Sequence, residues 1–358
     1  MIPMKAFIIS TCIALLAMCA SFSQEARSES GIEPVASFKG AQVTGVTVTD
    51  KGRIFVNFPR WHETIPCSVA EVDRQGNFKP YPDEKTNRWE KGKTQDDDAF
   101  VCVQSVVADG DRLYIIDTKN PMIGTTVATP TLYVYDLDTN KMIRKYPLSE
   151  STKPKSYVND LRVDREHGKI YFTDSNEPGL IVLDIKSGEN YRMLDNHPYT
   201  TAEQDHITVN GRRHDGKVHS DGIALDKKNG ILYFHALTGR TLYGIPVRQL
   251  IDRRIDEEKI TKMKTPSPDG MIMDSRGNLY MGDLENNSIV YLTPDRKNIR
   301  TLASGKEISW PDTFSIHDGY LYFTNSRIQE AQDDISDMVF NLETVSYTHL
   351  TLPTIRLV

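Results

Sequence analysis

Six polar residues recur at matching points of the chain and are the first candidates for chemistry. Each is the second residue of a short opening that leads into an alternating apolar strand, a turn at Asp, Gly or Asn, and a strand marked by Tyr or Phe. Three of the six are carboxylic acids and two are amides. We call them the ring residues: Thr44, Gln104, Asn159, Asp221, Asp269 and Asp312.

Carboxylates and amides that converge on one point need a positive charge or a proton to neutralise them. Ca²⁺ is one candidate, because it accepts both kinds of oxygen with flexible geometry. The other is a carboxyl group that keeps its proton at a raised pKa, which suits acid–base chemistry or the binding of an amine. A structural interpretation stays open beside these, since Asp before Gly also forms turns.

Further residues carry chemistry of their own. His219 directly precedes the opening at Ser220 and is a candidate acid or base. Arg60 and Trp61 offer a stacking face, and Arg327 offers an anion contact. We predict catalytic roles for Asp221, Asp269 and His219, and ligand contacts from Gln104, Asn159, Asp312, Arg60, Trp61, Asn325 and Arg327.

The repeat of the opening predicts the fold that positions these residues. The aromatic markers of the second strands are 59, 57, 62, 47 and 42 residues apart, and further strands with hairpin turns lie between them. Four-stranded units repeated radially are typical of a β-propeller. We predict an all-β, six-bladed propeller with four-stranded blades around a central channel. The markers are Phe55, Tyr114, Tyr171, Tyr233, Tyr280 and Tyr322.

In such a propeller the first strands line the channel and would bring the ring residues to one mouth. The polar segment 195–219 is expected to cover a mouth, with His206 and His214 as solvated loop residues rather than zinc ligands. One helix is predicted from about Val247 to Glu258. The ends of the second strands add further polar residues near the same rim: Asp117, Asp174, Asp283 and Asn325.

Both ends of the chain are predicted to lie outside the propeller. Residues 1–23 combine Lys5 with an apolar run to Ala20 and small residues after it, which is typical of an export signal and too short for a membrane span. We expect a secreted or periplasmic protein, with lipid anchoring through Cys19 as the alternative. The propeller would occupy residues 24–342, and residues 343–358 would form a non-native or disordered tail.

The composition excludes some classes of binding partner. The 358 residues include 43 Lys and Arg against 49 Asp and Glu, a formal net charge of −6, which argues against nucleic acid. The sequence has no Gly-rich phosphate loop, so no nucleotide cofactor is expected. We expect a monomer with a small-molecule ligand. Cys67 and Cys102 would remain after signal removal, either as a disulfide or as two buried thiols.

Three segments resemble the Yellow/major royal jelly protein family: Phe58–Trp61, Ser220–Leu225 with Leu232–Leu237, and Phe323–Arg327. The likeness extends from about residue 43 to residue 340. It implies a secreted six-bladed propeller, and some insect members are linked to dopachrome conversion while others bind biogenic amines in the channel. The resemblance thus implies binding of a small polar or aromatic molecule at the acidic mouth, with proton transfer as the candidate reaction and amine binding without catalysis as an alternative.

A second resemblance is to the gluconolactonase-type propellers. Pro268–Gly270 resembles their metal-binding Pro-Asp-Gly, and Asp221 with Gly222 stands where they have Asn-Gly. This likeness implies a Ca²⁺-dependent lactonase or related hydrolase as another alternative, with Asn159, Asp221 and Asp269 as metal ligands. The sequence departs from that pattern at Thr44, where those propellers carry a Glu.

Overall fold

The computed structural model describes residues 31–92, 98–331 and 334–347. The described strands form six four-stranded antiparallel sheets. The innermost strand of each sheet contacts the innermost strands of the two neighbouring sheets, which closes the ring. The predicted all-β, six-bladed propeller is therefore confirmed. The predicted signal at residues 1–23, with Cys19, lies outside the described residues.

The first half of the chain forms three blades after an initial strand, β1 (Ile32–Lys39). Blade 1 contains β2 (Gly45–Val48), β3 (Ile54–Asn57), β4 (Val69–Val72) and β5 (Phe78–Pro80). Blade 2 contains β6 (Val103–Asp109), β7 (Arg112–Asp117), β8 (Thr131–Asp136) and β9 (Lys141–Pro147). Blade 3 contains β10 (Val158–Asp164), β11 (Lys169–Asp174), β12 (Gly179–Asp184) and β13 (Asn190–Met193).

An inserted hairpin, β14 (His206–Val209) with β15 (Arg212–Asp215), separates the two halves. Blade 4 contains β16 (Ser220–Asp226), β17 (Ile231–Ala236), β18 (Thr241–Pro246) and β19 (Thr261–Lys264). Blade 5 contains β20 (Pro268–Met273), β21 (Leu279–Asp283), β22 (Ser288–Leu292) and β23 (Ile299–Ser304). Blade 6 contains β24 (Pro311–His317), β25 (Tyr320–Asn325) and β26 (Val339–Ser346), with β1 as its outermost strand.

Blade 6 therefore joins the two ends of the described chain. Strand β26 pairs with β25 on one side and with β1 on the other, where Ile32 lies opposite Val345. The predicted boundary at Leu342 is wrong by four residues, because residues 343–346 continue the strand and Val345 packs against Ile32 in a buried cluster. The predicted tail from residue 348 onward lies outside the described residues.

The hydrophobic core lies between adjacent blades. Each sheet is packed on both faces, so a middle strand can be apolar at every position. The run Leu180–Leu183 in β12 is fully buried, with Ile181 packed in a cluster with Ile116 of blade 2 and Val182 in a cluster with Ile223 of blade 4. Burial of each such side chain stabilises the fold by roughly 1.5–3 kcal/mol.

The helical content is small. Helix α1 (Val247–Ile251) follows β18, and 3-10 turns cover Pro121–Ile123 and Glu257–Lys259. The predicted helix to Glu258 is wrong in length, because Arg253 adopts a left-handed backbone conformation with φ of 53° and ends the helical path. Among the described residues, no helix has the length and apolar character to cross a membrane.

Candidate functional site

Irregular strand pairing positions the ring residues. In blades 2 to 6 the register between the first and second strands shifts at the ring residue, as between Val103 and Ser105 or between Ser220 and Ile223. A bulge of this kind re-aims a side chain away from the sheet faces. Five ring residues consequently line one central cavity: Gln104, Asn159, Asp221, Asp269 and Asp312.

The sixth ring residue, Thr44, behaves differently. It precedes β2, whose described pairing with β3 shows no register shift. Thr44 is fully buried, and its hydroxyl accepts a hydrogen bond from Asn57 Nδ2 at 3.0 Å. Gln42 lines the cavity instead. The expectation that Thr44 joins the ring is wrong, because blade 1 lacks the bulge that turns the other ring residues inward.

The glycines after two of the acids have a packing role. A Cβ atom on Gly222 would lie 2.7 Å from the carbonyl oxygen of Asp269, and one on Gly270 would lie 2.4 Å from the carbonyl oxygen of Asp312. Only glycine permits such a close approach of neighbouring first strands. Asp221 and Asp269 lie inside strands β16 and β20, so these Asp-Gly pairs do not form turns.

The central cavity has a volume of about 1290 Å³. Aromatic side chains line it on opposite sides, Trp61 and Tyr157 on one and Trp310 with His214 on the other. His214 belongs to the inserted hairpin, so the segment 195–219 covers this mouth as predicted. Lys217 is the sole Lys or Arg among the described lining residues, whereas three lining aspartates are more than nine-tenths buried.

Asp221, Asp269 and Asp312 form what we call the acid wall. Burial raises the pKa of Asp269 to about 7, although hydrogen bonds from Trp310 and Asp221 pull it down. Burial raises the pKa of Asp221 well above its ordinary value, and the charges of Asp269 and Asp312 add to that rise. The pKa of Asp312 is raised by burial and then by Asp269. All three pKa values are shifted in the same direction, so ionisation of the three aspartates together is unfavourable without a counter-charge.

Trp310 holds the charge on Asp269. Its indole Nε1 donates a hydrogen bond of 2.6 Å to Asp269 Oδ2. The backbone of Trp310 is left-handed with φ of 61°, a strained conformation for a bulky residue that the surroundings must maintain. The ring of His214 packs edge-on against the indole at 5.1 Å, and Ile207 and Leu237 share its buried cluster. The inserted hairpin thus seats the indole that faces the acid.

Gln104 and Asn159 form the amide wall on the other side. Trp61 Nε1 donates to the hydroxyl oxygen of Tyr157 at 2.6 Å, and this hydroxyl donates to Gln104 Oε1 at 2.8 Å. Asn120 also lines the cavity, and its Oδ1, which is closed off from solvent, has no hydrogen-bond partner among the described residues. The amide wall consists of neutral groups whose polarity is set by neighbouring side chains.

An ion pair between Arg162 and Asp160, which we call the charged strut, links separate blades near the acid wall. Arg162 donates from Nη1 to Asp160 Oδ2 at 2.8 Å on its own strand, and from Nη2 to the carbonyl oxygen of Met271 on blade 5 at 2.6 Å. Ser105 Oγ donates to Asp160 Oδ1 at 2.7 Å. The charge of Asp160 also raises the pKa of Asp269. The strut ties blades 2, 3 and 5 together beneath the cavity.

The sequence model described as major royal jelly protein matches residues 101–350, which is more than half of the chain. The chain belongs to the major royal jelly protein family. The resemblance seen in the motifs is thereby confirmed.

Curated relatives of this royal jelly family member include the protein yellow of Drosophila erecta and of Drosophila melanogaster. Each is 28% identical over 162 residues, which is 39% of this chain. The matched part covers 28% of the length of these relatives.

Solved structures of similar fold are propeller enzymes. A streptogramin B lyase has a TM-score of 0.51 at 15% identity and covers 88% of this chain and 99% of its own. A luciferin-regenerating enzyme has a TM-score of 0.53 at 10% identity and covers 88% of this chain and 94% of its own. These likenesses show the fold that the royal jelly family member shares with them.

Four predicted site residues lie outside the lining of the cavity. His219 Nδ1 accepts a hydrogen bond from the backbone of Ala202 at 3.0 Å, and burial lowers its pKa. Arg60 is buried and donates from Nε to the carbonyl oxygen of Val101 at 3.0 Å. We predicted that these two residues belong to the site. The structure instead places their side chains in contacts with backbone groups of the fold.

The predicted placement of Asn325 and Arg327 in the site also differs from the structure. Asn325 Oδ1 accepts a hydrogen bond from the backbone of Ser309 at 2.8 Å, and its Nδ2 donates to Glu343 Oε2 at 2.5 Å. Arg327 donates from Nη1 to the carbonyl oxygen of Val339 at 2.8 Å and from Nε to Glu330 at 3.2 Å. Both side chains hold the connections of blade 6.

The acids at the ends of second strands also bind backbone. Asp117 accepts hydrogen bonds from the backbone N–H groups of Val101 at 2.8 Å and Cys102 at 2.9 Å, and it pairs with Lys119 at 2.8 Å. Asp174 accepts from the backbone of Tyr157 at 2.9 Å. These acids brace the segments that lead into the first strands and are not part of the cavity.

The two cysteines among the described residues do not form a disulfide. Cys67 and Cys102 are buried free thiols, and burial raises the pKa of each to about 12.

Among the described residues, no cluster of three or more His, Cys, Asp or Glu side chains has the arrangement of a metal site. Of the predicted metal ligands, Asn159, Asp221 and Asp269 all line the cavity, and Asp269 Oδ2 accepts the hydrogen bond from Trp310. Thr44, which stands where the gluconolactonase-type propellers carry a Glu, is bonded to Asn57.

Proposed function

We propose that this protein binds a small molecule with a protonated amine beside an aromatic ring in the central cavity. The observation that supports this most directly is the acid wall, in which three buried aspartates face one cavity with raised pKa values. Buried carboxylates are unfavourable without a counter-charge. An ammonium group placed between Asp221 and Asp269 would supply that charge and let both acids ionise.

The aromatic walls favour a flat, cationic ligand. Trp61 and Trp310 both line the cavity; the half-buried ring of Trp61 offers a face on which an aromatic ligand can stack, whereas Trp310 is only 2% exposed. A cation over an indole ring gains roughly 0.5–2 kcal/mol. The cavity therefore combines one ionic anchor with one stacking surface.

With a ligand that places no ammonium group between the two acids, Asp221 keeps its proton and the acid pair can move a proton. Asp269 as carboxylate would remove a proton from one position of the ligand, while the protonated Asp221 would deliver its own proton to another position. The reaction would be a tautomerisation of the dopachrome-conversion type: one C–H bond breaks, one O–H or N–H bond forms, and no co-reactant is consumed. Its rate should fall at high pH, where Asp221 loses its proton, and at low pH, where Asp269 gains one.

The binding experiment uses tyramine and its neutral counterpart tyrosol, which has a hydroxyl group in place of the amine. Calorimetry with protein lacking residues 1–23 is expected to detect tyramine and not tyrosol. Asp221→Asn should weaken tyramine at least tenfold. The control Asp334→Asn removes a charge from an exposed lining position and should leave the affinity unchanged. Equal binding of tyramine and tyrosol, or of neither, would contradict the proposal.

Two further assays separate the alternatives. Loss of the visible absorbance of L-dopachrome, abolished in Asp221→Asn, would support tautomerisation, whereas amine binding without turnover would indicate a binding protein. A melting temperature raised by Ca²⁺ and lowered by a chelator, with hydrolysis of an aldonolactone, would favour the lactonase alternative. Export forms part of the proposal, and sequencing the N-terminus of protein recovered outside the cytoplasm tests it.

A further inference from the structure

We propose that Gln104 is locked as a hydrogen-bond donor toward the cavity, so that the site selects amines that also carry an acceptor oxygen. This inference rests on the proposed function and narrows its ligand class. The lock is the chain of hydrogen bonds from Trp61 through Tyr157 to Gln104. The indole fixes the direction of the first link, and the better acceptor then sets the direction of the second.

The direction begins at the indole. An indole N–H can donate and cannot accept, so the 2.6 Å contact makes the Tyr157 oxygen the acceptor. The Tyr157 hydroxyl must then direct its own proton to another group, and Gln104 Oε1 lies 2.8 Å away. The thiol of Cys102 also contacts this hydroxyl, but sulfur is the weaker acceptor. A reversed carboxamide would leave the phenol proton with that poorer partner.

The consequence falls on the other end of the carboxamide. With Oε1 held by Tyr157, Gln104 presents its Nε2 to the cavity, which Gln104 lines while only 8% exposed. Among the described residues, Nε2 makes no hydrogen bond. Nε2 is not closed off from solvent, so a ligand oxygen placed there would accept its hydrogen bond in place of solvent, whereas a ligand that covers Nε2 without offering an oxygen would leave the donor unpaired.

The two walls therefore differ in polarity. The acid wall accepts hydrogen bonds and attracts positive charge, whereas Gln104 donates from the opposite side of the same cavity. An amine without an acceptor oxygen pairs with the acid wall and gives the Nε2 donor of Gln104 no partner. An aromatic amine with a carbonyl or ester oxygen satisfies both, so the ligand class is an aromatic amine that bears an acceptor oxygen.

The test compares tyramine with L-tyrosine methyl ester, which has the same ring and amine and an added ester carbonyl. In the unchanged protein the ester should bind about tenfold more tightly. Tyr157→Phe removes the lock, lets the carboxamide rotate, and should bring the affinity ratio close to one. Gln104→Leu should do the same by removing the donor. Tyr146→Phe, which loses a hydroxyl bonded to Ile185 outside the cavity, should keep the tenfold ratio.

The outcomes separate this inference from the proposed function. If tyramine binds and the ester shows no preference, or if the preference survives in both Tyr157→Phe and Gln104→Leu, the lock is refuted and the proposed function stands. If neither compound binds the unchanged protein, both fall. Because Tyr157→Phe and Gln104→Leu alter the lock at different atoms, agreement between them excludes a loss of folding in one variant as the cause, and melting curves check each.

Discussion

The two walls of the central cavity are built on the same backbone device and differ in chemistry. Gln104 in blade 2 and Asp269 in blade 5 both lie at a register shift between the first two strands of their blade. Each accepts a hydrogen bond whose donor is a tryptophan or a tyrosine bonded to one. Trp310 donates directly to Asp269 and favours its charged form. Trp61 acts through Tyr157 and turns Gln104 into a donor. The comparison teaches that the bulge aims the side chain and the indole sets its polarity.

The largest effect should come from breaking the backbone contact behind the acid wall. Gly270→Ala would place a Cβ atom 2.4 Å from the carbonyl oxygen of Asp312, so the first strands of blades 5 and 6 must separate. We expect a loss of about 3 kcal/mol in the free energy of unfolding, measured by urea denaturation. An unchanged free energy of unfolding in Gly270→Ala would show that the strands are not constrained there.

Removing the charge of the acid wall should be the next largest effect. Asp269→Asn keeps an acceptor for Trp310 and loses the carboxylate, so tyramine should bind about 100-fold more weakly, or roughly 2.7 kcal/mol, by calorimetry. Gln104→Leu on the amide wall should change tyramine binding far less. A similar loss in both variants would mean that the two walls do not divide charge and orientation between them.

The ligand-free protein should lose stability as its acid wall ionises. The folded pKa of Asp269, about 7, lies above the ordinary value of 3.8, so the folded state holds a proton that the unfolded state releases. Its stabilising contribution is therefore complete below pH 4 and is lost as pH rises through 7, with a limiting slope of about 1.4 kcal/mol per pH unit. Urea denaturation from pH 4 to 8 should show the unchanged protein losing stability relative to Asp269→Asn. Parallel curves would contradict this.

The smallest effect should distinguish the two indoles. Trp310→Phe keeps an aromatic wall and removes the N–H that lowers the pKa of Asp269, so the pH dependence of tyramine binding should move to higher pH, with about a tenfold loss of affinity at pH 6. Trp61→Phe should leave that pH dependence in place and reduce the preference for the ester. Identical pH profiles in the two variants would mean that the indoles are interchangeable wall residues.

The fold could be predicted because it is repeated. Six alternations of polar opening, apolar strand and aromatic marker identify the blades, and five of six ring positions follow from the shared bulge. Thr44 failed because blade 1 enters its first strand without that bulge. Residues 343–346 show no blade pattern in the sequence, yet they continue β26, and residues 343–345 pair with β1.

The partners within the site were beyond prediction for a physical reason. Trp310 and Tyr157 reach their acceptors across 41 and 53 residues of chain, and no local pattern encodes that proximity. A Trp directly before Pro311 and Asp312 was the available signal. His219, Arg60, Asn325 and Arg327 were assigned by residue type near the mouth, and neighbouring backbone groups claim their side chains.

The closure of blade 6 has a consequence for the order of assembly. Ser37 of β1 meets Asn341 of β26 across 304 residues, and joining chain ends at that separation costs about 5 kcal/mol of loop entropy. At ribosomal speed, β1 must wait about 15 to 60 s for its partner strand to be made. During that time it is an unpaired edge open to other strands. The pairing of β1 with β26 therefore comes late in synthesis, after the strands of the other five blades have been made.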